Sequence, residues 1–96
     1  MKRFIFLTYG FEPPTPEIME AWGNWFASLG DNMVDTGGPS GGGREITRAG
    51  TTDLPLDLDA FTGYVIINAA DLDEATAIAE TCPIITAIRV YETMSM

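Results

Sequence analysis

An α+β domain with an antiparallel sheet is the fold class this sequence predicts, and three observations carry it. Two blocks, residues 3–35 and 62–91, each read strand, helix, strand. A glycine-rich, weakly apolar stretch separates them. Within the strands the apolar residues occupy both alternating faces, which is the pattern of a sheet covered on two sides.

Residues 3–9 (RFIFLTY) are short, aromatic-rich and bounded by Gly10 and Pro13, so they form the first strand. Thr15 supplies a capping hydroxyl, Pro16 fits the first helical turn, and Glu17 lies near the positive end of the helix dipole. Ile18, Trp22, Trp25, Phe26 and Leu29 then recur at helical spacing, and Gly30 stops a helix over 16–29. Residues 33–35 make a short second strand. Residues 44–48 (REITR), with the single apolar Ile46, make a weaker one suited to a sheet edge, and TTDLPLDLD reads as an irregular connection. Residues 62–68 (TGYVIIN) are the second strong strand. Asp71 and Glu74 form a capping box for a helix whose buried side is Leu72, Ala75, Ile78, Ala79 and Cys82, ended by Pro83. Residues 84–91 (IITAIRVY) close the chain as the last strand.

The order βαβ, weak edge hairpin, βαβ matches a ferredoxin-like split arrangement, and right-handed crossovers place both helices on one face of the sheet. That face takes Phe4, Phe6, Val65, Ile67, Ile88 and Val90. The opposite face takes Tyr9, Tyr64, Asn68, Arg89 and Tyr91 among aliphatic residues. Two helices cover one face only, so a second copy of the chain is expected to bury the other, giving a homodimer.

Ninety-six residues form a single domain over 1–96, of a size that buries roughly 60–65% of its unfolded surface. Five Lys and Arg against fourteen Asp and Glu give a net charge of −9, which repels nucleic acid and anionic membranes. A single cysteine, Cys82, allows no intrachain disulfide. The apolar run 4–7 is too short for a signal sequence and is followed by Glu12 and three prolines, so a cytoplasmic location is expected.

The segments FIFLTYG, TGYVII, DLDEA and ETCPII with its following strand resemble the YCII-related family, also called DGPF-like, over nearly the whole chain. The resemblance implies a dimeric α/β barrel of ferredoxin-like subunits with a cleft near the subunit interface. Most of that family has no assigned function, and some members resemble lyases or dehydrochlorinases that rely on a His and Asp pair. This chain has no histidine, and TTDLPLDLDAFTG stands in place of the DGPF loop, so no such pair carries over.

The stretch DTGGPSGGGR holds five glycines in ten residues but lacks the lysine and the following helix of a phosphate-binding loop. It reads as a flexible connection over a cleft mouth, with Asp35 and Arg44 at its ends. The acids Asp53, Asp57, Asp59 and Asp71, Asp73, Glu74 miss the calcium-loop register, so no metal and no cofactor are expected. Cys82 has no histidine to activate it and reads as core. Trp22, Trp25 and Phe26 either pack the core or wall an aliphatic or aromatic ligand.

The expected function is binding of a small organic acid or phenol, with lyase-like turnover left open. Asp35 is the candidate acid or base, and Tyr9, Trp22, Arg44, Tyr64, Asn68 and Arg89 are candidate binding residues. The alternative is a non-catalytic interaction module whose polar face residues bond to one another across a filled dimer interface.

Overall fold

The computed structural model describes residues 1–94. Strand β1 (Lys2–Tyr9) leads through Thr15 into helix α1 (Pro16–Leu29), followed by a single 3-10 turn at Gly30–Asn32 and strand β2 (Met33–Gly37). Strands β3 (Gly43–Thr47) and β4 (Gly50–Leu54) come next, then β5 (Phe61–Ala69), α2 (Leu72–Glu80) and β6 (Ala87–Glu92). The main sheet has the order β2-β5-β1-β6 with every neighbouring pair antiparallel. Each βαβ unit is thus split by a strand of the other, an α+β arrangement compatible with a ferredoxin-like fold.

The helix ends follow from local chemistry. The Thr15 hydroxyl accepts from the Ile18 N–H at 3.2 Å, and Gly30 closes the helix at a φ of 54° that suits glycine. Asp71 accepts from the Glu74 N–H at 2.8 Å, while the Glu74 carboxylate reaches back to the Ala70 N–H at 3.4 Å, one residue before the expected partner.

Both helices pack on one face of the sheet. Phe4, Phe6, Val65 and Ile67 from the strands meet Trp25 and Leu29 of α1 and Ala75 and Ala79 of α2, with Ile88 and Val90 packed against this core. Trp25 joins the helices, its indole N–H donating to the Thr81 hydroxyl at 3.0 Å. Cys82 is buried in the same cluster, and burial pushes its thiol up to about 12.

Four expectations are corrected. Residues 43–47 are not an edge of the main sheet: they pair only with β4, in a separate two-stranded ribbon whose residues are all exposed. The first part of TTDLPLDLD is therefore strand, and only its remainder is irregular. The last strand begins at Ala87; just before it, the Thr86 hydroxyl bonds to the Leu58 carbonyl and the Thr86 N–H donates to the Tyr9 carbonyl at 3.2 Å. Leu72 is exposed, since it opens the first turn of α2 beyond the reach of the core. No helix among the described residues is long and apolar enough to cross a membrane.

Candidate functional site

The principal cleft lies between α1 and the β1–β5–β2 part of the sheet, on the helix-covered side, with a volume of about 510 Å³. Ile18, Met19, Trp22 and Phe26 of α1 form its apolar wall, and Thr8, Thr36, Thr62 and Val65 form its floor. A bulge builds that floor. Thr8 pairs with Gly63 but Tyr9 pairs with Phe61, leaving Thr62 as an extra residue on β5. The Thr62 hydroxyl thereby comes within 3.1 Å of the Thr8 hydroxyl.

The tryptophans divide between the two expected roles. Trp25 is buried against Phe6 at a ring separation of 6.2 Å. Trp22 and Phe26, half-buried and 6.0 Å apart, pack on the core and also face the cleft. Gly23, one residue beyond Trp22, lines the cleft as well, and a Cβ there would meet no other atom within 4 Å.

Apart from Arg44, the remaining candidate residues occupy the helix-free face. Strand registers place Tyr64, Leu7 and Arg89 in one row across the sheet, and Ile66, Ile5 and Tyr91 in the next, with Asp35 opposite Ile66 at the β2 edge. The Tyr64 hydroxyl donates to the Asp35 carboxylate at 3.0 Å, and Asp35 also accepts from the Thr36 N–H at 2.9 Å. This bond and the carboxylate's charge, with a smaller contribution from burial, push the Tyr64 phenol above its ordinary value. Along the same face the Arg89 guanidinium lies over the Tyr9 ring at 4.7 Å. Asn68 sits opposite Arg3 and makes no side-chain hydrogen bond among the described residues.

The structure therefore brings together Asp35 with Tyr64, and Tyr9 with Arg89, but sets both pairs on the other face of the sheet from Trp22. Tyr64 nevertheless borders the cleft, and its carbonyl accepts from the Thr36 hydroxyl at 2.9 Å. Arg44 stands apart from all of these. It lies on the detached ribbon, beside Asp53 at 3.5 Å with both side chains largely exposed, and no residue from 38 to 44 lines the cleft. Thr36 and Gly37 at the start of the glycine-rich connection border the cleft, and the residues after them lead outward into the β3–β4 ribbon.

Sequence reasoning missed the three floor threonines. Thr8 was readable as the polar end of the buried series Phe4, Phe6, Thr8, whereas Thr62 enters only through the bulge. Among the described residues no cluster of three or more acidic, thiol or imidazole groups is placed to hold a metal ion. Comparison of the chain with protein-family models, curated proteins and solved structures finds no match.

Proposed function

We propose that the protein binds a small, largely apolar organic molecule in the α1 cleft. The observation that carries this reading is the cleft itself: about 510 Å³, walled by Trp22, Phe26, Ile18 and Met19, with a few hydroxyls at its floor. Size, apolar lining and sparse polar groups are the properties of small-molecule sites in general. Asp35, the candidate acid or base, engages Tyr64 on the opposite face, so this reading is one of binding rather than of turnover by that carboxylate.

The same proposal takes the chain to be one half of a homodimer, YCII-like in architecture, with helix-free faces packed together as an α/β barrel. Ile5, Leu7 and Ile66 form the apolar centre of that face, flanked by Asp35 on the β2 edge and Arg89 on the β6 edge. A two-fold axis along the strands would bring the acidic edge of one protomer over the basic edge of its partner, which supports a second copy as the occupant.

Titration with the neutral fluorophore 1-N-phenylnaphthylamine tests the cleft. Saturable enhancement is expected for the native chain and should vanish in Gly23→Leu, since Gly23 lines the cleft and an added Cβ there meets open space. Absence of saturable binding to the native protein would overturn the reading. Light scattering tests the dimer: Leu7→Glu should give a monomer, and a monomeric native chain would remove that half of the proposal.

A further inference from the structure

The hydrogen-bonding character of the cleft narrows the class of ligand, and the argument rests on the binding reading above. Each threonine hydroxyl has one proton to give and two lone pairs to offer. On the cleft floor the protons are spent within the chain. The Thr36 hydroxyl donates to the Tyr64 carbonyl at 2.9 Å, the Thr62 hydroxyl to the Thr8 carbonyl at 3.2 Å, and the Thr8 hydroxyl to the Gly63 carbonyl at 3.2 Å. What remains facing a ligand is oxygen lone pairs.

The charged groups point the same way. Among the described residues, Glu12 is the one ionisable carboxylate lining the cleft, and no lysine or arginine lines it. Of the chain's five cations, Lys2 lies beside Glu92 at 3.8 Å, Arg44 beside Asp53, and Arg89 over Tyr9, all away from this site. The N-terminus of α1, whose dipole would otherwise favour an anion, is capped by Thr15 and carries Glu17 in its first turn. The single side-chain N–H of the lining belongs to Trp22. An anion entering here would meet a carboxylate, a set of acceptors and the field of a chain of net charge −9.

We propose that the cleft selects an organic amine in its ammonium form, carried on an aromatic or similarly bulky apolar body. An ammonium group has donors only, which complements a floor whose hydroxyls are left as acceptors. The rings of Trp22, Phe26 and Phe11 receive the apolar body and present π faces to the cation. Glu12 supplies the counter-charge from the rim. The organic acid considered among the sequence-based expectations is the chemistry this lining disfavours.

The test is a displacement series against bound 1-N-phenylnaphthylamine, using four ligands with one ring system: 1-naphthylmethylamine, 1-naphthylmethanol, 1-methylnaphthalene and 1-naphthoate. The amine should displace at about tenfold lower concentration than the methyl compound, with the alcohol between them and the carboxylate weakest. Added sodium chloride should weaken the amine alone. Glu12→Gln, a change at an exposed side chain, should weaken the amine by about threefold and leave the methyl compound unchanged. Equal or better displacement by the alcohol or the carboxylate would overturn the inference while leaving the cleft reading intact. So would a Glu12→Gln effect that is the same for all four ligands. Failure of the fluorophore itself to bind would overturn the cleft reading, and the preference with it.

Discussion

Replacing Gly23 by alanine should make the protein more stable, and the size of the gain follows from its position. Gly23 lies inside the fourteen-residue helix α1, several residues from either end, and it is not among the glycines with positive φ. Alanine is favoured over glycine in a helix interior by about 0.8–1.0 kcal/mol, largely because glycine retains more freedom in the unfolded chain. At most sites a clash offsets part of that gain. Here a Cβ would meet no other atom within 4 Å, so nothing is subtracted. For a domain of this size the melting temperature should rise by roughly 4–8 °C per kcal/mol. Urea denaturation should show a higher midpoint with an unchanged slope, which separates a stability change from a change in the unfolded ensemble. An unchanged or lower midpoint would refute the reasoning and would mean that something approaches the bare backbone at this position. Leucine at the same site should keep most of the gain yet close the cleft, so α1 carries a residue that is poor for the helix and useful for the cavity.

Alkaline spectrophotometric titration should find one tyrosine above the ordinary range, and Asp35→Asn should bring it down, since the acceptor and its charge are both removed. A titration curve unaltered by that substitution would place the Tyr64 hydroxyl elsewhere. Cys82 should react with a thiol reagent at neutral pH only through opening of the fold, because burial holds its thiol up to about 12. As the unfolded thiol ionises near its ordinary value of 9.0, stability should fall as pH rises from there towards about 12; a flat stability profile over that range for the native chain, matching that of Cys82→Ala, would contradict the assignment. Thr15→Ala should cost about 1 kcal/mol by removing the α1 cap, read from the urea midpoint. Arg44→Ala should change stability by less than about 0.5 kcal/mol, since its partner Asp53 is equally exposed.

The elements that were legible in the sequence are those with local chemical marks. Thr15 with Pro16, Gly30, and Asp71 with Glu74 bound both helices, and the alternation in β1 and β5 separates a helix-covered face from an open one. Of the β3–β4 ribbon, β3 was read as a weak edge strand, but β4 and the separation from the main sheet were not legible, because these Gly- and Thr-rich strands carry no apolar period and their choice of partner is settled by a short turn. Ile84 and Ile85 look like strand in isolation, yet the chain there is held by Thr86 instead. For the site, Tyr9, Tyr64, Asn68 and Arg89 were read from alternation onto one face of the sheet, where the strand registers place them, whereas Arg44 lies on the detached ribbon, apart from the α1 cleft. The floor of the cleft depends on a one-residue offset between β1 and β5, and such an offset is a property of pairing that neither strand shows alone.

The separation of the β3–β4 ribbon from the main sheet has an engineering consequence. A two-stranded ribbon with all its residues in solvent has little to hold it together on its own, so its opening should leave the four-stranded sheet undisturbed. Its tip, at Arg48 and Ala49, can accept an inserted peptide, a fluorophore or a tether at little cost to the fold. The molecule thus carries a built-in handle, by which it can be labelled or fixed to a surface while the cleft stays free to bind.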